Sequence, residues 1–345
     1  MEIFSRHHWH GAGFWLVAAG VALMSAAPRA QAQTPRTRQS ASANADLAQR
    51  ILETMLRVPG NQAGYRTVHA KGLVCQGTFT PSPDAASLSK AAHFQQVTPV
   101  VVRFSDGAPD PLIPDASANA GPRGLAIRFT LPDASVTDVV AMSHNGFVVA
   151  NGEEFLALQT AIVSTDPTRP HPWPVETFLG SHPLAAKFVQ DNQRVPASFA
   201  TEAFFSNDAF VFVNAAGTRQ VGRYQIRPVA GERDLTDAEA SGKPSNFLID
   251  DLKTRLAAGP VEFRLVVQIP NPGDATDDPS AVWPDDRRTI EVGRLTITSV
   301  VADSAAAEKA LAFDPVRLTG GIELSDDGLP ALRSLVYALA AAHRR

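Results

Sequence analysis

Seven short runs rich in Val, Ile or Phe, each bounded by Gly, Pro, Asn or Asp, constrain the fold of this chain more than any other feature. They are residues 98–104 (TPVVVRF), 124–130 (GLAIRFT), 136–142 (VTDVVAM), 209–214 (AFVFVN), 222–229 (GRYQIRPV), 261–269 (VEFRLVVQI) and 288–301. β-Branched and aromatic side chains suit a pleated, half-buried surface, and the flanking residues are turn formers. Parallel strands need long, usually helical, crossovers. Few helical segments separate these runs, so the pattern predicts an antiparallel barrel rather than a βαβ sheet. Residues 45–58 read as a helix, with Leu47, Ile51, Leu52, Met55 and Leu56 at helical spacing before Pro59-Gly60. Residues 153–162 and 331–343 read the same way. The Pro- and Asp-rich stretch 274–286 reads as a surface loop. No repeat or composition shift marks a second domain, so residues 45–345 form one unit.

Several chemistries are excluded early. Lys and Arg total 31 and Asp and Glu total 35, a net charge of −4 that makes no basic stripe for nucleic acid. Cys75 is the single cysteine, which rules out a disulfide framework, an iron–sulfur cluster and a thiolate zinc site. There is no G-x-G-x-x-G, no G-x-S-x-G elbow and no His-x-x-x-His pair beyond residue 32. Among the later histidines, His171 and His182 lie between prolines and read as loop residues, and His93 as half-exposed.

The N-terminus reads as a secretory signal. A mildly basic start precedes the apolar run 13–27, short of the roughly 20 residues that span a bilayer. Ala30-Gln31-Ala32 then fits small-x-small cleavage. Residues 1–32 are expected to be the signal peptide and 33–44 a flexible tether. The mature protein is expected to be exported to the periplasm, with no membrane span after cleavage. A lone cysteine tolerates that oxidising compartment.

The chemistry concentrates in five ordered segments. They are Arg66-Thr67-Val68-His69-Ala70-Lys71-Gly72 followed by Gly77-Thr78-Phe79, Val102-Arg103-Phe104-Ser105, residues 121–129 (GPRGLAIRF), residues 212–217 (FVNAAG), and Arg333-Ser334-Leu335-Val336-Tyr337 with Arg344 seven residues on. Their order and content resemble the haem catalases, and in this shortened form the catalase-related haem peroxidases. The resemblance implies an α+β, catalase-like antiparallel β-barrel with flanking helices, and haem b buried between barrel and C-terminal helix. One departure concerns the distal asparagine. Without a gap, Met142 falls on that position; with a local shift, His144 or Asn145 supplies the polar group, and Asn145 is preferred.

The resemblance implies roles that the residue types can perform. His69 would shift a proton between the two peroxide oxygens, as an imidazole with a pKa of about 6.5 can, and Ser105 would orient it. Tyr337 would be the axial ligand of the haem iron. A free phenol, with a pKa of about 10, is mostly protonated at neutral pH; Arg333, four residues earlier on the same helix face, favours the ionised form. Arg66, Arg103 and Arg344 would bind the propionates. Val68 and Phe104, with Phe147 and Phe155, are the apolar pocket candidates. The implied function is an exported haem peroxidase that reduces organic peroxides, and hydrogen peroxide too, through a ferryl intermediate. Its electron donor would be a small molecule or a protein. A small true catalase and a non-catalytic haem- or apolar-ligand-binding barrel are the alternatives. The sequence leaves an oligomer open.

Overall fold

The computed structural model describes residues 35–344. The expected signal peptide and the first two residues of the expected tether lie outside them. The strands are β1 (Gly72–Pro81), β2 (Thr98–Ser105), β3 (Gly124–Thr130), β4 (Val136–Met142), β5 (Phe204–Phe205), β6 (Phe210–Val213), β7 (Arg219–Pro228), β8 (Val261–Gln268), β9 (Thr289–Val300) and β10 (Ile322–Leu324). Neighbours run β7-β5-β4-β3-β2-β1-β9-β8, and β8 pairs back onto β7, closing an eight-stranded ring. Every pairing is antiparallel, as the strand runs predict. Closure leaves the ring without an edge to protect. β6 and β10 extend the sheet beyond β7.

The ring encloses an aromatic core. Phe79, Phe104, Phe129, Phe204 and Phe263 are fully buried there. Each such side chain contributes roughly 1.5–3 kcal/mol by leaving water. Successive residues of a strand point to opposite faces. With Phe104 inside the ring, its neighbours Arg103 and Ser105 must point out. Ser105, Gly124, Met142 and Phe205 are successive cross-strand partners, and so form one row along the outer wall. Arg103, Ala126 and Val140 form the next.

The helices are α1 (Pro35–Met55), α2 (Ala85–Leu88), α3 (Gly152–Val163), α4 (Pro174–Ser181), α5 (Pro183–Asp191), α6 (Asp237–Ser241), α7 (Phe247–Ala258), α8 (Ser304–Ala310) and α9 (Leu329–Arg344), of which α1 and α9 stand over this wall. α1, α3 and α9 share a separate apolar cluster built on Leu47, Ile51, Met55, Leu329 and Leu332, with Phe147 and Phe155 against it. The Asp327 carboxylate accepts the Leu329 N–H at 2.8 Å and so caps the start of α9. Among the described residues no helix is long and apolar enough to cross a membrane.

Two readings need correction. The first helix starts at Pro35 rather than at residue 45, so residues 35–44 of the expected tether are helical; among the described side chains of this helix, Leu47 is the first that is buried. His93 is buried, not half-exposed, with its ring 4.6 Å from that of Phe129, and burial pushes its pKa down to about 3. His182 is the single residue between α4 and α5, outside both helices as its loop reading expects, and its ring stacks 3.9 Å from Phe178. The stretch 274–286 has no regular structure, as its loop reading expects, and within it Trp283 is buried beneath the Arg223 guanidinium at 4.3 Å.

Candidate active site

A cavity of about 960 Å³, counted out to its mouth, lies between the outer barrel wall and α1 and α9. The barrel contributes Arg103, Ser105, Gly124, Ala126, Val140, Met142 and Phe205. The segment before β1 contributes Arg66, Val68 and His69; α9 contributes Arg333, Tyr337 and Arg344. Residues far apart in sequence thus meet because one strand row and one helix face the same space.

His69 is held by its backbone as well as its ring. Its φ of +55° is a left-handed conformation that a residue bearing a Cβ adopts at a cost. Four contacts fix it there. The His69 N–H donates to Gly107 O at 3.0 Å, and Arg103 Nη2 donates to His69 O at 2.8 Å. The ring Nδ1 lies 3.0 Å from Asp106 O and 3.1 Å from Ser105 Oγ. A carbonyl oxygen only accepts, so the partner assigns the proton to Nδ1 and leaves the Nε2 lone pair free. Burial, aided by the positive charge of Arg103, lowers the imidazole pKa from 6.5 to about 4. The ring is therefore a neutral base at physiological pH. Gly124 sits directly behind it. A Cβ there would lie 2.7 Å from His69 Nδ1 and 2.6 Å from Ser105 Oγ, so only glycine fits.

On the other wall, Arg333 Nη2 donates to the Tyr337 hydroxyl oxygen at 3.2 Å. Arg333 Nη1 donates to Asp208 Oδ2 at 2.6 Å. Asp208 and Tyr337 keep the guanidinium protonated well above its usual range, despite its burial. Asp208 was not found from the sequence, since it precedes β6 with no motif around it. It anchors the arginine that the i, i+4 spacing did find.

The three remaining arginines converge at one end of the cavity. Arg66 donates to Leu311 O at 3.0 Å, and Arg344 to the same oxygen at 2.8 Å. Arg103 Nε donates to both Glu308 oxygens, at 2.8 and 2.7 Å. Glu308, also missed in the sequence, caps this cationic end from α8.

Not every candidate residue reaches the cavity. His144 bonds Gly146 O at 2.8 Å and Asp191 at 3.2 Å, and its ring faces Phe188. Neither His144 nor Asn145 lines the cavity, because the chain turns away after β4; Met142, the last residue of that strand, faces inward instead. Phe104 lies inside the ring. Phe147 and Phe155 pack in the helical layer, and Phe147 sits 5.6 Å from the Arg333 guanidinium. Asn207, which no motif flagged, lines the cavity with its Oδ1 taken by the Gly146 N–H at 3.0 Å.

The donor set suits haem. A phenol oxygen backed by a guanidinium could serve as an iron ligand, an imidazole stands on the opposing wall, cations gather at one end where two carboxylates could bind, and the remaining lining is largely apolar.

Comparisons with known proteins agree with this geometry. The family model for catalase matches residues 28–345. A catalase-related peroxidase of Mycolicibacterium paratuberculosis is 39% identical over 289 residues, 83% of this chain and 90% of that protein. A catalase-related peroxidase of Synechococcus elongatus is 36% identical and spans 83% of this chain and 85% of its own length. Catalase-2 of Arabidopsis thaliana is 27% identical, and the match covers 63% of that longer protein. Among solved structures, a bacterial catalase superposes with a TM-score of 0.72 at 25% identity, over 82% of this chain and 58% of its own.

Proposed function

The chain belongs to the catalase family and is an oxidoreductase acting on peroxide, and from that premise we propose that it is an exported haem b peroxidase that reduces organic hydroperoxides at the expense of an external electron donor. The observation that carries the reading is the opposition of His69 to the Tyr337–Arg333 pair across one cavity.

Haem, when bound, supplies the two-electron redox chemistry that splits the O–O bond. The chain's own residues do the rest. Tyr337 would hold the iron, and Arg333, anchored by Asp208, places positive charge beside the phenol oxygen. Arg66, Arg103 and Arg344 would hold the propionates and so fix the cofactor's orientation. His69 Nε2 takes the proton from one peroxide oxygen and returns it to the other, while Asp106 O and Ser105 Oγ keep the ring from turning.

Met142 supports the preference for organic hydroperoxides over disproportionation. A thioether on the His69 face offers no N–H to orient a second hydrogen peroxide for oxidation, and it gives an alkyl group an apolar surface to lie on. Reduction without disproportionation then needs an outside donor. Export rests on the apolar run 13–27 and Ala30-Gln31-Ala32.

The test is direct. The haem-loaded protein should consume cumene hydroperoxide with a dye donor and evolve little oxygen from hydrogen peroxide. Vigorous donor-free oxygen evolution would favour a true catalase instead. A haem-loaded protein inert to both oxidants would make the barrel a carrier. Tyr337→Phe should lose the tyrosinate-type ferric spectrum. An unchanged spectrum would remove Tyr337 from the iron.

A further inference from the structure

The chain has four methionines. Two lie outside the described residues, and the other two, Met55 and Met142, both line the proposed peroxide cavity. Their surroundings differ. Met55 is buried at the end of α1 and is 4% exposed, whereas Met142 is partly open to the cavity.

The sheet register places Met142 more closely. Gly124 and Met142 are direct partners across the β3–β4 ladder. Directly opposed residues project to the same face, with Cβ atoms roughly 4.5–5.5 Å apart. The Cβ direction of Gly124 is known, because a carbon built there would lie 2.7 Å from His69 Nδ1 and 2.9 Å from its Cε1. The Met142 side chain therefore leaves the sheet on the His69 face, one residue spacing from the imidazole. Its unbranched chain is long enough to bring the sulfur to the space where His69 meets peroxide.

We infer that Met142 is a self-modification site, whose thioether takes an oxygen atom from the hydroperoxide that the cavity binds. The step balances without another reagent. The O–O bond breaks and an S–O bond forms. Sulfur is oxidised by two electrons to the sulfoxide, and the hydroperoxide is reduced to its alcohol. The proton on the transferred oxygen passes through His69 to the departing alkoxide. Sulfoxide is polar and only accepts hydrogen bonds, so the apolar wall beside His69 becomes polar when the donor runs out and peroxide accumulates. Methionine sulfoxide is a reversible lesion, restored by methionine sulfoxide reductases.

This inference rests on the peroxidase reading, and the two can fail separately. The haem-loaded protein is exposed to cumene hydroperoxide without donor, digested and mapped by mass spectrometry. Met142 should gain one oxygen atom well before Met55, and a methionine sulfoxide reductase should remove it. His69→Ala should slow the labelling of Met142 by roughly 100-fold, the lower end of what a positioned proton-transfer group supplies. Met142→Leu should abolish the early mass increment. A protein that turns over hydroperoxide with donor yet leaves Met142 unmodified overturns this inference alone, as does labelling equally fast in His69→Ala. A protein that neither consumes hydroperoxide nor labels Met142 overturns both.

Discussion

At the scale of single residues, His69 decides how activity responds to pH. Its neutral ring is the working form, and burial lowers its pKa to about 4. The rate constant for reaction with hydroperoxide should therefore stay flat from pH 8 down to about 5 and halve near pH 4. An unperturbed imidazole would halve it near pH 6.5, and stopped-flow rates across that range separate the two. The stability consequence has the opposite sense of benefit. The unfolded histidine takes up its proton near 6.5 while the folded one resists until about 4, so this group costs folding stability as pH falls through that window. His69→Ala should keep haem but lose about 10²–10⁴-fold in that rate. His69 was legible in the sequence because five neighbours, Arg66, Val68, Ala70, Lys71 and Gly72, share its motif. The residue opposite it on the sheet was not settled there. A one-dimensional spacing allowed Met142, His144 or Asn145, and only the β3–β4 register, with the chain turning away after Met142, decides among them.

At the scale of elements, α9 carries the wall that bears Arg333 and Tyr337, and its attachment to the barrel is electrostatic as well as apolar. Arg333 and Asp208 form a buried pair, with the carboxylate 1% exposed. Removing one partner of such a pair costs about 3–5 kcal/mol. Asp208→Asn should lower the urea midpoint by an amount near the lower end, because the amide oxygen still accepts from Arg333. The same change leaves the guanidinium charge less neutralised, which favours the ionised phenol. The variant should thus be less stable yet keep the tyrosinate-type ferric band; loss of that band at full haem occupancy would show that Asp208 holds the ligand rather than the helix. The helix itself was legible, since Leu332, Val336 and Leu339 recur at its spacing. Asp208 was not, because its partner lies 125 residues away. All seven strand runs became strands, whereas β1 (GLVCQGTFTP), diluted by Gly, Gln and Thr, needed its neighbours β2 and β9 to define it. The two-residue β5 exists only because Met142 and Gln225 stand on either side of Phe205.

At the scale of the whole molecule, the structure consists of two bodies joined across a cavity. The barrel is closed by continuous ladders and an aromatic core. The layer of α1, α3 and α9 holds together through a much smaller cluster. Regions with few buried apolar contacts open more readily than a core sheet. A group filling the cavity touches both bodies and binds only when they are assembled, so its binding energy stabilises their contact. The gain is about 2.7 kcal/mol at a free concentration one hundred times Kd. Haem extraction should therefore act unevenly. Amides of α9 and of the second half of α1, whose Met55 lines the cavity, should exchange faster with deuterium in the haem-free protein. Amides of β1, β2, β8 and β9, bonded within the ring, should keep their protection. Rebinding should restore the helices, and the dimethyl ester of haem should restore them less, because it cannot engage Arg66, Arg103 and Arg344 as a dianion. Uniform loss of protection across strands and helices would mean that the barrel folds only around its ligand, and that the two bodies are one cooperative unit.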